Sequence, residues 1–94
     1  MNTDKKYKNG QKICELSDEV LTYFFKTGKV KAKGPFVGGK MQGKWIFNRD
    51  SGGLWQVGNF ADDKKHGEWL RYDKSGQLEY QAKFDSGKLV EKLI

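Results

Sequence analysis

The feature that most limits what this chain can become is a 24-residue period. Phe36, Phe60 and Phe84 stand at that interval, as do Gly28, Gly52 and Gly76, and Val30, Leu54 and Leu78. Lys40, Lys64 and Lys88 form a fourth column, Leu21, Trp45 and Trp69 a fifth, and Gly34, Gly58 and Ala82 a sixth of small residues. A fixed period of this kind marks a repeat architecture, in which one small unit recurs and buries its apolar face against its neighbours. With 94 residues the chain has room for one domain.

Each copy reads as two strands and two turns. The second strands are Val30–Phe36, Leu54–Phe60 and Leu78–Phe84, whose alternate positions carry Val30/Ala32/Gly34/Phe36, Leu54/Gln56/Gly58/Phe60 and Leu78/Tyr80/Ala82/Phe84. Period-two alternation with one apolar side is the pattern of a half-buried strand. The first strands hold Leu21-Thr22-Tyr23, Trp45-Ile46-Phe47 and Trp69-Leu70-Arg71-Tyr72, residue types that suit a pleated surface. Gly28, Gly52 and Gly76 supply the positive φ of the turn inside each copy. Between copies lie Val37–Lys40, Ala61–Lys64 and Asp85–Lys88, with Asp63 where the other two have Gly.

These patterns predict an all-β fold built from three consecutive β-hairpins of about 24 residues. The copies fall at about 19–42, 43–66 and 67–90, within a repeat domain at 17–94 that follows a less regular lead at 1–16. Glycine within a strand marks a close approach by another group, and an aromatic ring over it recovers the lost packing. Trp45 and Trp69 are expected to fill that role. Leu16, Val20, Tyr23 and Phe24 also fit a helical spacing, with Ser17 as an N-cap that leaves room for a short turn over 17–20, but the repeat columns and the Tyr23-Phe24-Phe25 run favour a strand from about Leu21. Tyr7–Gln11 resembles the inter-copy turn Phe84–Lys88, which points to a worn half-copy opening the domain.

The core must be aromatic. Leu, Ile, Val and Phe number only 21, near the level at which chains stay disordered. Trp, Tyr and Phe number 13, each able to bury about 150–250 Å². Charge is localised. Residues 20–49 carry Lys26, Lys29, Lys31, Lys33, Lys40, Lys44 and Arg49 with no acid, against a net charge of +6 for the whole chain. Cys14 is the single cysteine and the N-terminus leads into no apolar signal segment, which together favour a reducing cytoplasm.

The Gly-x-Trp openings Gly43-Lys44-Trp45 and Gly67-Glu68-Trp69, the Gly-x-Leu turn Gly76-Gln77-Leu78 and the Phe-x-x-Gly-Lys close at Phe84–Lys88 resemble MORN repeats. The likeness is to the bacterial variant group and covers about residues 20–90. It implies hairpins laid side by side into one elongated, curled antiparallel sheet, and a scaffold or recognition surface. Some members of that group are described as antitoxin components, and the resemblance implies a role of that type in a bacterial cytoplasm.

Catalytic and metal chemistry find little support. Gly34–Lys40 fits the opening of a phosphate-binding loop, but Met41 stands where the magnesium-binding hydroxyl belongs. Cys14 and His66 are each single, and His66 falls in a polar turn. No metal-ligand or calcium-loop spacing is present. The chain is therefore expected to be no enzyme and to need no cofactor or metal. Trp55 and Val57 interrupt the polar side of their strand beside Lys31 and Lys33, and these four are the expected anchors of a protein partner. The alternative is an anionic, phosphoinositide-type membrane surface met by the basic stretch 26–49, using Lys26, Lys29, Lys40, Lys44 and Arg49. Nucleic acid is the weaker candidate, because most aromatics are committed to repeat columns. The apolar tail Leu89–Ile94 either caps the last copy or leaves an edge for self-association.

Overall fold

The computed structural model describes residues 3–94. Nine strands form one open antiparallel sheet: β1 (Cys14–Ser17), β2 (Val20–Phe24), β3 (Val30–Val37), β4 (Lys40–Met41), β5 (Gly43–Asn48), β6 (Leu54–Ala61), β7 (Lys64–Tyr72), β8 (Leu78–Asp85) and β9 (Lys88–Lys92). Spatial order follows chain order, except that the short β4 pairs only with β3. There is no helix among the described residues, and so none long and apolar enough to cross a membrane. A depth of 19 Å against 41 and 34 Å in the other directions is that of a twisted layer.

One row of side chains across the sheet explains its stability. Leu21 faces Gly34, Trp45 faces Gly58, and Trp69 faces both Gly58 and Ala82. Large and small residues therefore alternate from strand to strand. A Cβ built on Gly34 would lie 2.3 Å from the Trp45 ring, and one on Gly58 would lie 2.3 Å from the Trp69 ring. Each indole lies flat on the bare backbone of the preceding strand. Trp45 is 0% exposed and Trp69 4%. At about 25 cal/mol per Å², burying a ring of this size contributes roughly 4–6 kcal/mol. The indole N–H groups are satisfied too: Trp45 donates to the Pro35 carbonyl and Trp69 to that of Asn59, both at 2.9 Å. Phe47, Phe60 and Phe84 join the indoles in a chain of ring contacts with centroids 5.2–6.3 Å apart. The buried Cys14, Leu21 and Ala32 extend this core toward β1.

Turns alternate between the two ends of the strands. At one end Asp18-Glu19, Gly38-Gly39, Asp62-Asp63 and Ser86-Gly87 all have positive φ, the paired left-handed geometry of tight hairpins. The optional helical turn over 17–20 is therefore not formed: Asp18 and Glu19 form a hairpin turn, and the favoured strand is present as β2. Asp63 holds the glycine position by a second means, accepting the Met41 N–H on its carboxylate at 2.6 Å. Asp62 and the side-chain amide of Gln42 exchange hydrogen bonds beside it.

At the other end, four turns close with the same bonds. The N–H groups of Tyr7, Phe25, Arg49 and Asp73 donate to the carbonyls of Gln11, Lys29, Gly53 and Gln77, each at 2.8 Å. The Tyr7–Gln11 segment thus matches the turn inside each copy, not the inter-copy turn that its sequence resembles. The tail does not fold over as a cap. Strand β9 continues the sheet beyond β8 and leaves Leu89, Val90, Leu93 and Ile94 exposed.

If the indole-on-glycine contact carries the sheet, Gly58→Ala drives a methyl group into the Trp69 ring. The expected loss is about 1–3 kcal/mol or more, as for other overpacked cores. Ala82→Gly, which only empties space at an equivalent position, costs about 0.5–1 kcal/mol. Urea denaturation of the two variants checks the order, and a neutral Gly58→Ala would refute the stacking account.

Candidate functional site

Strands β2, β3, β5 and β6 share one partly covered face. On it Tyr23 pairs with Ala32, Ala32 with Phe47, and Phe47 with Gln56. Near the turn end of these strands the face opens into a groove of about 570 Å³, between the turn at 25–29 and the turn at 49–53. Tyr23, Phe25, Phe47 and Trp55 give it aromatic walls, and Lys31 and Arg49 bring charge to its rim. Asp50 contributes one acid.

Trp55 reaches this groove because of a break in register. Phe47 pairs with Gln56, but Asn48 pairs with Leu54, so Trp55 is the extra residue of a β-bulge. A bulge re-aims the side chain it carries. Lys31 and Glu79 occupy the matching extra positions beside the shifts at Tyr23/Phe24 and Arg71/Tyr72. Their contacts show the same redirection. Lys31 Nζ lies 5.9 Å from the Phe25 ring centroid, and Glu79 reaches Arg71 at 3.6 Å. Strict alternation, which would put Trp55 and Lys31 on the outer face, fails at these positions.

The four residues expected to act together are therefore divided. Trp55 and Lys31 border the groove. Lys33 and Val57 lie on the opposite face, flanking Ile46 in a row that continues to Thr22 and Leu70. The basic stretch is dispersed as well. Lys26 and Lys29 stand on the turn beside the groove. Lys33 and Lys44 lie on the outer face, and Lys40 lies beyond the far end of β3. Eight residues of β3 place those two ends about 26 Å apart. These cations do not make one continuous plane.

Arg49 belongs to the basic stretch in sequence, yet its Nε is buried without a partner among the described residues. Its Nη2 donates to the Tyr72 carbonyl at 3.0 Å. Sequence reasoning did not single out Tyr23, Phe25 or Phe47 as groove residues. The signal available was their position one strand away from the Lys31/Trp55 column. Cys14 is buried on β1, and His66 lies in strand β7, not in a turn, with Asp85 3.6 Å from its Nδ1. Five inter-strand steps of about 4.8 Å separate β1 from β7, so the two do not form a pair. Gly34–Val37 are strand residues, and Gly34 lies beneath an indole, so this segment makes no phosphate cradle.

Burial, and secondarily the charge of the neighbouring Cys14, pushes the Tyr23 hydroxyl above its ordinary value of 10.0. The groove floor therefore stays neutral through the physiological range.

Residues 65–86 match the family described as MORN repeat variant. No curated protein and no solved structure gives a significant match to the chain.

The fold favours protonated Tyr23, so its contribution to stability is complete below pH 10.0 and is lost as the pH rises through the raised value. Ultraviolet titration should show a late phenolate phase that Tyr23→Phe removes, along with part of the alkaline loss of stability. A Tyr23→Phe profile identical to the parent would contradict this placement.

Proposed function

We propose that the protein is a non-catalytic binding module for another protein, built as three hairpin copies with a 24-residue period. The surface it offers is the groove bordered by Trp55, Lys31 and Arg49. The supporting observation is the bulge that turns Trp55, 36% exposed, toward an aromatic groove with a basic rim. Trp and Arg in a concave, partly desolvated setting have the composition of binding hot spots. The match over residues 65–86 agrees with a repeat module of the kind that engages proteins or membranes. An antitoxin-type role is the specific form of this proposal that the resemblance suggests, with the partner a toxin encoded beside it. The dispersal of lysines over two faces and both strand ends favours a protein over an anionic membrane plane.

The test uses the whole protein as bait for the products of flanking reading frames, beside vesicles rich in phosphatidylserine. At about 0.5 M salt, screening shortens to roughly 4 Å, and binding carried by exposed lysines fades. A partner anchored by Trp55 stays bound under those conditions, loses at least about tenfold in affinity with Trp55→Ala, and is indifferent to Lys33→Glu. Salt-sensitive vesicle binding that Lys33→Glu/Lys44→Glu abolishes and Trp55→Ala spares, with no partner captured, would overturn the proposal.

A further inference from the structure

We infer that the groove receives a tyrosine side chain carried in an acidic segment of the partner. This rests on the protein-binding reading and names the ligand of the same site. The basis is a comparison among the four equivalent turns that begin at Tyr7, Phe25, Arg49 and Asp73.

Between the first and second turns the Tyr7 hydroxyl donates to the Phe24 carbonyl at 2.7 Å. Between the third and fourth, Arg49 Nη2 donates to the Tyr72 carbonyl at 3.0 Å. In both gaps the first residue of one turn reaches across to the carbonyl just before the next turn. A hollow of about 530 Å³, more enclosed than the groove, remains beside the Arg49 tie and is lined by residues of the two turns. In the middle gap the corresponding residue is Phe25 and the corresponding carbonyl belongs to Asn48. Phenylalanine has no donor to offer. The Asn48 side chain bonds in the other direction, to the Val30 carbonyl at 3.2 Å. The middle gap is the aromatic groove itself, with Phe25 and Asn48 among its lining residues.

An occupant that completes the pattern presents an O–H or N–H donor on a flat, apolar body. The chain itself uses two such groups, a phenol and a guanidinium. Lys31 and Arg49 at the rim, with Lys26 and Lys29 on the adjoining turn, repel a guanidinium and accept a phenol. The same cations attract carboxylates on either side of it. The aromatic walls suit the phenol ring, and Lys31 is placed for a cation–π contact with it.

The probe is the capped peptide Glu-Glu-Tyr-Glu-Glu, titrated into the full chain and followed by calorimetry and by the indole N–H resonance of Trp55. The tyrosine peptide is expected to bind roughly tenfold more tightly than its phenylalanine analogue, the effect of one hydrogen bond. It should also bind at least about tenfold more tightly than Lys-Lys-Tyr-Lys-Lys. Phe25→Tyr supplies the missing hydroxyl from within. It should raise the thermal midpoint and weaken peptide binding at least about tenfold. Parent-like circular dichroism would show that this variant is folded. Equal binding of the phenylalanine peptide, of the lysine peptide or to Phe25→Tyr would overturn the inference, and so would the absence of any Trp55 response. None of these outcomes touches the protein-binding reading, which Trp55→Ala decides separately with the captured partner.

Discussion

An indole lying on a glycine holds this sheet together. A single β-layer has no second layer to cover its apolar face, so the side chains of that face must cover one another. Trp45 does so by lying on Gly34, and Trp69 by lying on Gly58, at distances no Cβ could tolerate. The arrangement needs alternating sizes on neighbouring strands, which a tandem pattern of Trp and small residues supplies. It also satisfies each indole N–H on a backbone carbonyl of the strand beneath, which fixes the angle of the ring as well as its position. Glycine in mid-strand is ordinarily a weakness; here it is the seat of the largest side chain in the core.

The same constraint decides where a ligand can sit. Rings stack tightly across the middle of the strands, so open space is left only toward the ends. At one end the paired left-handed turns are compact, and the Asp62-Asp63 turn is latched to Met41 and Gln42. At the other end, a bulge beside each of the three later turns adds a residue and turns its side chain back toward the core face. The three bulge residues are chemically unlike: Lys31, Trp55 and Glu79. Glu79 is engaged with Arg71, while Lys31 and Trp55 border the groove.

The all-β character and the seating of Trp45 and Trp69 over small residues were legible in the sequence because they depend on residue size and period, while the single antiparallel sheet was implied by the resemblance to MORN repeats. The bulges were not. Period-two counting assigns each side chain a face from its parity, and an inserted residue changes that parity without changing composition. Trp55 and Val57 thus look like neighbours on one face, yet the shift beside Asn48 separates them. The segment around Asp18 left two readings open for a different reason. Apolar spacing there fits a helix, and only the left-handed φ of two adjacent acids shows that the chain reverses. Tyr7–Gln11 carries a glycine that suits either turn class, and its identity lies in which carbonyl its first N–H reaches.

The turns that begin at Tyr7, Phe25 and Arg49 close on the first residue's backbone N–H, which leaves that residue's side chain free of the task of holding the turn, whereas Asp73 accepts the Ser75 and Gln77 N–H groups on its carboxylate. That position can therefore vary in chemistry at little cost to the fold. Tyrosine or arginine there ties one hairpin to the next; phenylalanine leaves the hairpins joined by strand pairing and the gap open. The sheet does not need every gap tied, because the indole row already links β3 to β5 and β6 to β7. In a sheet built in this way, exchanging one donor-bearing side chain for one without a donor removes a tie between hairpins without removing the strand pairing. The chemistry of the gap then follows from which side chain opens the turn and which charges stand around it.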